Sequence, residues 1–100
     1  MEVSLKPSPR KGKKWRVVFT RKKDGVQSHV DFGADGMDDY TLHHDPVRKA
    51  KFLSRFRKLI EKHKDNPQAP MTLSRMLLWN KPSLEDSWRD YSKHFHLIQH

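Results

Sequence analysis

"KWRVVFTRKKDGVQSHVDF", residues 14–32, holds two runs of alternating apolar and polar residues on either side of RKKDG. A period of two is that of a strand with one face buried. Asp24-Gly25 predicts a two-residue hairpin turn, because both positions accept a positive φ. That turn sets a register in which paired residue numbers sum to 49, so Phe19 faces Val30 and Val17 faces Phe32. These four share one side of the ribbon, and Arg16, Val18, Thr20, His29 and Asp31 occupy the other. A two-stranded ribbon is not stable alone, so helices must cover its apolar side.

The chain downstream supplies them. Asp45-Pro46 reads as an N-cap followed by a proline at the first helical position. Phe52, Leu53, Phe56, Leu59, Ile60 and His63 then recur at helical spacing, and Asp65-Asn66-Pro67 ends the run. A shorter helix is predicted from Thr72 to about Trp79. Ser83 with Asp86 resembles a capping box, and Leu84, Trp88, Tyr91 and Phe95 form the apolar stripe of a last helix. Upstream, residues 1–13 read as a flexible basic arm, with two prolines, two serines and a glycine among Lys6, Arg10, Lys11 and Lys13. The expectation is therefore an α+β fold: a hairpin on about three helices, a single domain over residues 14–100, and an N-terminal arm.

One hundred residues suit one domain and not two. Ten aromatics (three Trp, two Tyr, five Phe) must supply much of a small core. Lys+Arg is 21 against 12 for Asp+Glu, a formal +9. Five of the acids lie between Asp31 and Asp45, and without them 21 bases stand against seven acids, or +14. Such an excess points to anionic partners. The absence of cysteine excludes a disulfide framework and a thiolate metal site. No apolar run resembles a secretory signal or a membrane span.

The acidic stretch "HVDFGADGMDDYTLHHDP", residues 29–46, contains Asp31-Phe32-Gly33, the triplet by which protein kinases hold magnesium. Its companions, a glycine-rich phosphate loop, a paired lysine and a catalytic loop, are missing. A calcium loop counted from Asp31 fails at Gly33 and Leu42, where oxygen ligands belong. His43, His44 and Asp45 are metal-ligating types, but adjacent residues on an extended chain point apart. No serine sits in a nucleophile elbow. The stretch therefore reads as a turn-rich joint, with Asp45 as a helix cap and Asp35, Asp38 and Asp39 available to pair with arginines. No cofactor, metal site or catalytic residue is expected.

The bases are patterned more strongly. Arg48, Lys51, Arg55, Lys58 and Lys62 are spaced 3, 4, 3 and 4. At about 100° per residue they form one stripe, roughly 115° from the centre of the apolar one. A solvated face ordinarily mixes signs, so this ridge reads as a phosphate-binding surface. Ser8-Pro9-Arg10-Lys11 looks like the repeats of linker-histone tails, which follow the narrow minor groove. Arg21, Lys22 and Lys23 form a third cluster at the hairpin tip, and Lys13 and Lys14 lie between arm and ribbon.

"FGADGMDDYTLHHDPVRKAKFLSRFRK" and "MTLSRMLLWNKPSLEDS" together resemble a small uncharacterised family encoded by large, nucleocytoplasmic DNA viruses. The resemblance rests on Phe32, Gly33, Ala34, Gly36, Asp39, Tyr40, Thr41, His43 and Asp45, and on Leu77 through Lys81. It covers roughly residues 14–90. Met37, His44 and Phe56 stand where the family has tyrosine, lysine and histidine. It implies a viral protein found in the virion and the infected cell's cytoplasm or nucleus, with the acidic stretch as the signature linker between ribbon and helix.

The reading of the sequence is thus a non-enzymatic DNA-binding protein with little sequence preference, packaging viral DNA in the virion. Duplex DNA is the expected partner and no membrane is involved. The binding residues are Arg10, Lys11, Lys13, Lys14, Arg21, Lys22, Lys23, Arg48, Lys51, Arg55, Lys58 and Lys62. The alternative is a structural virion protein whose basic face meets an acidic capsid or core component. Acids opposite a basic ridge also suit a homo-oligomer.

Overall fold

The computed structural model describes residues 1–99 and has an α+β architecture. Strands β1 (Glu2–Pro7), β2 (Lys13–Thr20) and β3 (Gln27–Ala34) are followed by helices α1 (Tyr40–His43), α2 (Pro46–Arg55), α3 (Arg57–His63) and α4 (Pro70–Leu73). A π-helical turn at Ser74–Leu78, helix α5 (Leu84–His94) and the short strand β4 (Ile98–Gln99) complete it. The strands form one mixed sheet in the order β3-β2-β1-β4.

Residues 2–7 are a strand and not an arm. β1 pairs antiparallel with β2 from Glu2↔Thr20 to Pro7↔Trp15, and β4 lies parallel on its other side. Val3 is only 1% exposed, in the core. The strand forms because Val3 and Leu5 alternate with Ser4 and Lys6, which puts two apolar side chains on the covered side. Pro7 falls at the end of the strand, where a missing amide is tolerated.

The hairpin forms with the predicted faces and a different register. Val17 pairs with Val30 and Trp15 with Phe32, so partner numbers sum to 47 rather than 49. The amide of Arg21 donates to the carbonyl of Val26 (3.0 Å), enclosing a four-residue loop, Lys22 to Gly25. A type I′ turn needs positive φ at both central residues and a type II′ turn at the first, but in this loop only Gly25, the second, has it (φ 70°). Asp24 instead caps the loop, accepting from Val26 N–H (3.1 Å) and from the Arg21 guanidinium (2.6 Å). A shift of two keeps every side chain on its face, which is why Val17, Phe19 and Phe32 are buried as expected.

The core is sheet against the C-terminal half. Val3, Val17, Phe19 and Phe32 meet Leu73, Leu77 and Leu78 from α4 and the π turn, and Tyr91 from α5. The buried Tyr91 hydroxyl donates to the Pro67 carbonyl (2.6 Å), and burial pushes its phenol pKa upward. Ser83 caps α5 by accepting from Asp86 N–H (3.0 Å). The segment predicted as one helix from Thr72 is divided between α4 and the π turn, and Trp79 N–H reaches the Ser74 carbonyl (3.1 Å). The wider turn brings the consecutive Leu77 and Leu78 into the core together.

The long basic helix is broken at Phe56 (φ −105°, ψ 14°) into α2 and α3. Its hydrogen bonds still run through the break, from Phe56 N–H to the Phe52 carbonyl and from Ile60 N–H to the Phe56 carbonyl. No residue of α2 or α3 is fully buried. The stripe of Phe52, Phe56 and Ile60 is only half covered, and Leu59 is exposed. These helices lie against the flank of the core.

Candidate functional site

The Asp31-Phe32-Gly33 triplet is structural at each position. Asp31 accepts two bonds from its cross-strand partner Arg16 (2.8 and 3.1 Å) and one from the Ser8 hydroxyl (2.8 Å). The hydrogen bond from Arg16 holds the carboxyl at about 2, against an ordinary 3.8, despite opposing desolvation. Phe32 is core. Gly33 has φ +78°, and a Cβ there would lie 2.9 Å from a Leu78 methyl, so glycine lets the strand end turn against the π turn.

Asp39 and Asp45 of the linker are equally committed. Asp39, 2% exposed, caps α1 by accepting from the Thr41 amide (2.9 Å) and hydroxyl, and it holds the Lys14 ammonium at 2.6 Å. Asp45 caps α2, accepting from Val47 N–H (2.9 Å) and Arg48 N–H (3.4 Å). His43 Nδ1 accepts the Asp45 amide (2.9 Å), and the His44 ring nitrogen contacts the Thr41 carbonyl (3.1 Å). Among the described residues no three His, Asp or Glu side chains are grouped to hold a metal.

The basic residues divide. Lys14 belongs to Asp39, and its side chain is largely covered. Arg21 is held by Asp24, with both partners exposed. Arg48 lies 3.7 Å from Asp38, a loose surface pair of little energetic consequence. Among the described residues, Lys51, Arg55, Lys58 and Lys62 are exposed and have no carboxylate within ion-pairing distance, and Glu61, the acid of α3, is taken by Lys64 (2.7 Å). All four are exposed, Lys51 and Arg55 on α2 and Lys58 and Lys62 on α3, with the break at Phe56 between them.

Arg10 and Lys11 lie in the turn between β1 and β2, where Ser8 Oγ accepts the Arg10 amide (3.1 Å) and Lys13 N–H reaches the Arg10 carbonyl (3.2 Å). Ser-Pro-Arg-Lys is thus an ordered turn, tied to Asp31 through Ser8, and not part of a loose tail. This turn adjoins the end of β3, since Asp35 N–H donates to the Gly12 carbonyl (3.0 Å). The hairpin tip is at the other end of β2, an eight-residue strand about 24 Å long. The three basic clusters read from the sequence do not converge: the turn and the α2 cations Arg48, Lys51 and Arg55 adjoin one end of the sheet, and Arg21, Lys22 and Lys23 stand apart at the other.

Between the end of the sheet and α2 lies a cleft of about 520 Å³. Lys14, Gly33 and Ala34 form one wall, Met37 and Asp38 the linker side, and Arg48, Lys51 and Arg55 the helix rim. Phe52, Phe56, Leu78 and Trp79 are its apolar surface. Phe52 stacks on Trp79 (centroids 4.5 Å, planes 5° apart), and the Arg55 guanidinium lies over Phe56 at 5.2 Å. Behind it, the Trp79 and Asn80 carbonyls are capped by Arg75 (2.9 Å) and Lys49 (2.6 Å). Burial lowers the pKa of both cations. The sequence reading assigned Phe52 and Phe56 to the core and missed the cleft. The available signal was the repeated cation–aromatic step Lys51-Phe52, Arg55-Phe56.

The fold and this cleft define a small α+β domain with a basic, aromatic-lined edge. Residues 3–56 match the model of a family of unknown function, DUF5754, and the chain belongs to that family. The matched span takes in β1, β2, β3, the acidic linker and α2. No curated protein and no solved structure matches the chain. No helix among the described residues is long and apolar enough to cross a membrane.

Proposed function

We propose that this is a non-enzymatic DNA-binding protein with little sequence preference, whose contact surface is the α2–α3 ridge together with the Arg10–Lys13 turn. The observation that carries the reading is the set of four exposed cations, Lys51, Arg55, Lys58 and Lys62, none of which is ion-paired with a carboxylate among the described residues. Cations held on a helix lose little entropy on meeting phosphates, and each contact releases condensed counterions. The commitment of Asp31, Asp39 and Asp45 to the fold argues against a carboxylate active site. The resemblance to a family of large DNA viruses supports packaging of viral DNA as the setting.

Binding of unrelated duplexes, followed by fluorescence anisotropy across salt, tests it. Affinity is expected to fall linearly on a log–log plot with a slope shared by the duplexes. Replacing Lys51, Arg55, Lys58 and Lys62 together by glutamine should flatten that slope by about 3 to 4 units. A slope unchanged in this variant, or binding insensitive to salt, would overturn the reading. Binding of an acidic protein but not of DNA would favour a structural role.

A further inference from the structure

The ridge accounts for phosphate contacts and leaves the cleft beside it unexplained. On α2 a cation is followed directly by a phenylalanine, Lys51-Phe52, and again one turn later, Arg55-Phe56. The two steps lie about 6 Å apart along the axis. The cations stand on the rim and the rings line the cleft. The acids of the lining face bases of the same lining, Asp39 held by Lys14 and Asp38 loosely by Arg48, which leaves Lys51 and Arg55 as the net charge of the opening. A volume of about 520 Å³ lies in the range of small-molecule sites. Met37, 63% exposed, stands at the mouth as a soft apolar contact.

A planar apolar group joined to an anion fits this pairing, and in a nucleic acid that is an unstacked base beside its phosphate. In a duplex each base is paired and stacked, and its ring faces cannot enter a side cleft. We infer that the cleft receives an unpaired nucleobase, so that the protein grips single-stranded DNA by stacking as well as by charge. The inference rests on the proposed DNA-binding function and adds a strand preference to it. Aromatic platforms flanked by cations are how strands are held without sequence preference.

The test uses the full chain and a twelve-nucleotide oligothymidylate carrying one central 5-iododeoxyuridine. Irradiation and peptide mapping are expected to place cross-links at Met37, Phe52, Phe56 or Trp79. Phe56→Leu keeps an apolar side chain at a half-buried position, and should weaken binding of the oligothymidylate about tenfold. Its affinity for a duplex of equal length at the same salt should change less than twofold. Met37→Ala, outside the core, should weaken only the single strand, by a smaller factor. Cross-links confined to the hairpin tip or the Arg10 turn overturn the inference, as does a Phe56→Leu effect that is absent or equal for both DNAs. Salt-dependent duplex binding with no cleft cross-link removes the cleft and leaves the ridge standing. Failure to bind either DNA at low salt removes both.

Discussion

The acidic linker and the basic helices that follow it are opposite in charge, and they differ more in what their charges do. Asp31, Asp39 and Asp45 each accept two or more hydrogen bonds from within the chain, and Asp31 and Asp39 are almost fully covered. Lys51, Arg55, Lys58 and Lys62 are exposed, and among the described residues none is ion-paired with an acid. These three acids are therefore part of the fold, and these four bases are not. Substitutions in the first region should alter stability and leave the salt dependence of binding alone. Those in the second should do the reverse, and the four-glutamine variant is expected to unfold within about 0.5 kcal/mol of the parent.

The sharpest way to break this contrast is Asp39→Ala. It strands the Lys14 ammonium beside the core and removes the α1 cap, at an expected cost of about 3 kcal/mol in urea denaturation. A stable, folded Asp39→Ala protein with altered DNA binding would show that the linker acts on the ligand.

Asp31 gives a smaller effect with a defined pH signature. Its carboxyl titrates at about 2 in the fold and 3.8 in the free chain. Between these values the unfolded chain binds more protons, so stability is full above the upper value and declines as pH falls toward the lower. Asp31→Asn should flatten that part of the acid-unfolding curve. Asp45→Ala should cost least, about 1 kcal/mol, through loss of the exposed α2 cap, with affinity per folded molecule unchanged.

Much of this could be read from the sequence where the determinants are local. The faces of the hairpin, the caps at Asp45 and Ser83, the α5 stripe and the spacing of the ridge all depend on residues within a few positions of one another. The register was misread because side-chain parity constrains the face and not the offset, and Lys22 and Lys23 belong to the loop rather than to the strands. β1 was hidden because Val3 and Leu5 are a short alternation beside prolines and lysines that dominate the composition. The cleft is another matter, since the Lys51-Phe52 and Arg55-Phe56 steps mark only one of its walls. It brings Gly33 against Leu78 and Phe52 against Trp79, contacts between distant segments that no local pattern announces.

The sheet order also carries an expectation about the order of folding. β1, β2 and β3 form a meander closed by two short turns, so neighbouring segments can find each other as soon as they exist. β4 comes from the far end of the chain, yet it docks beside β1, pairing Glu2 with Ile98, over only two residue pairs. Closing so long a loop for so few bonds is slow compared with forming hairpins. The meander should assemble early and leave the outer edge of β1 open until α5 has packed and delivered Ile98 to it, making the last strand a latch that shuts after the core is built.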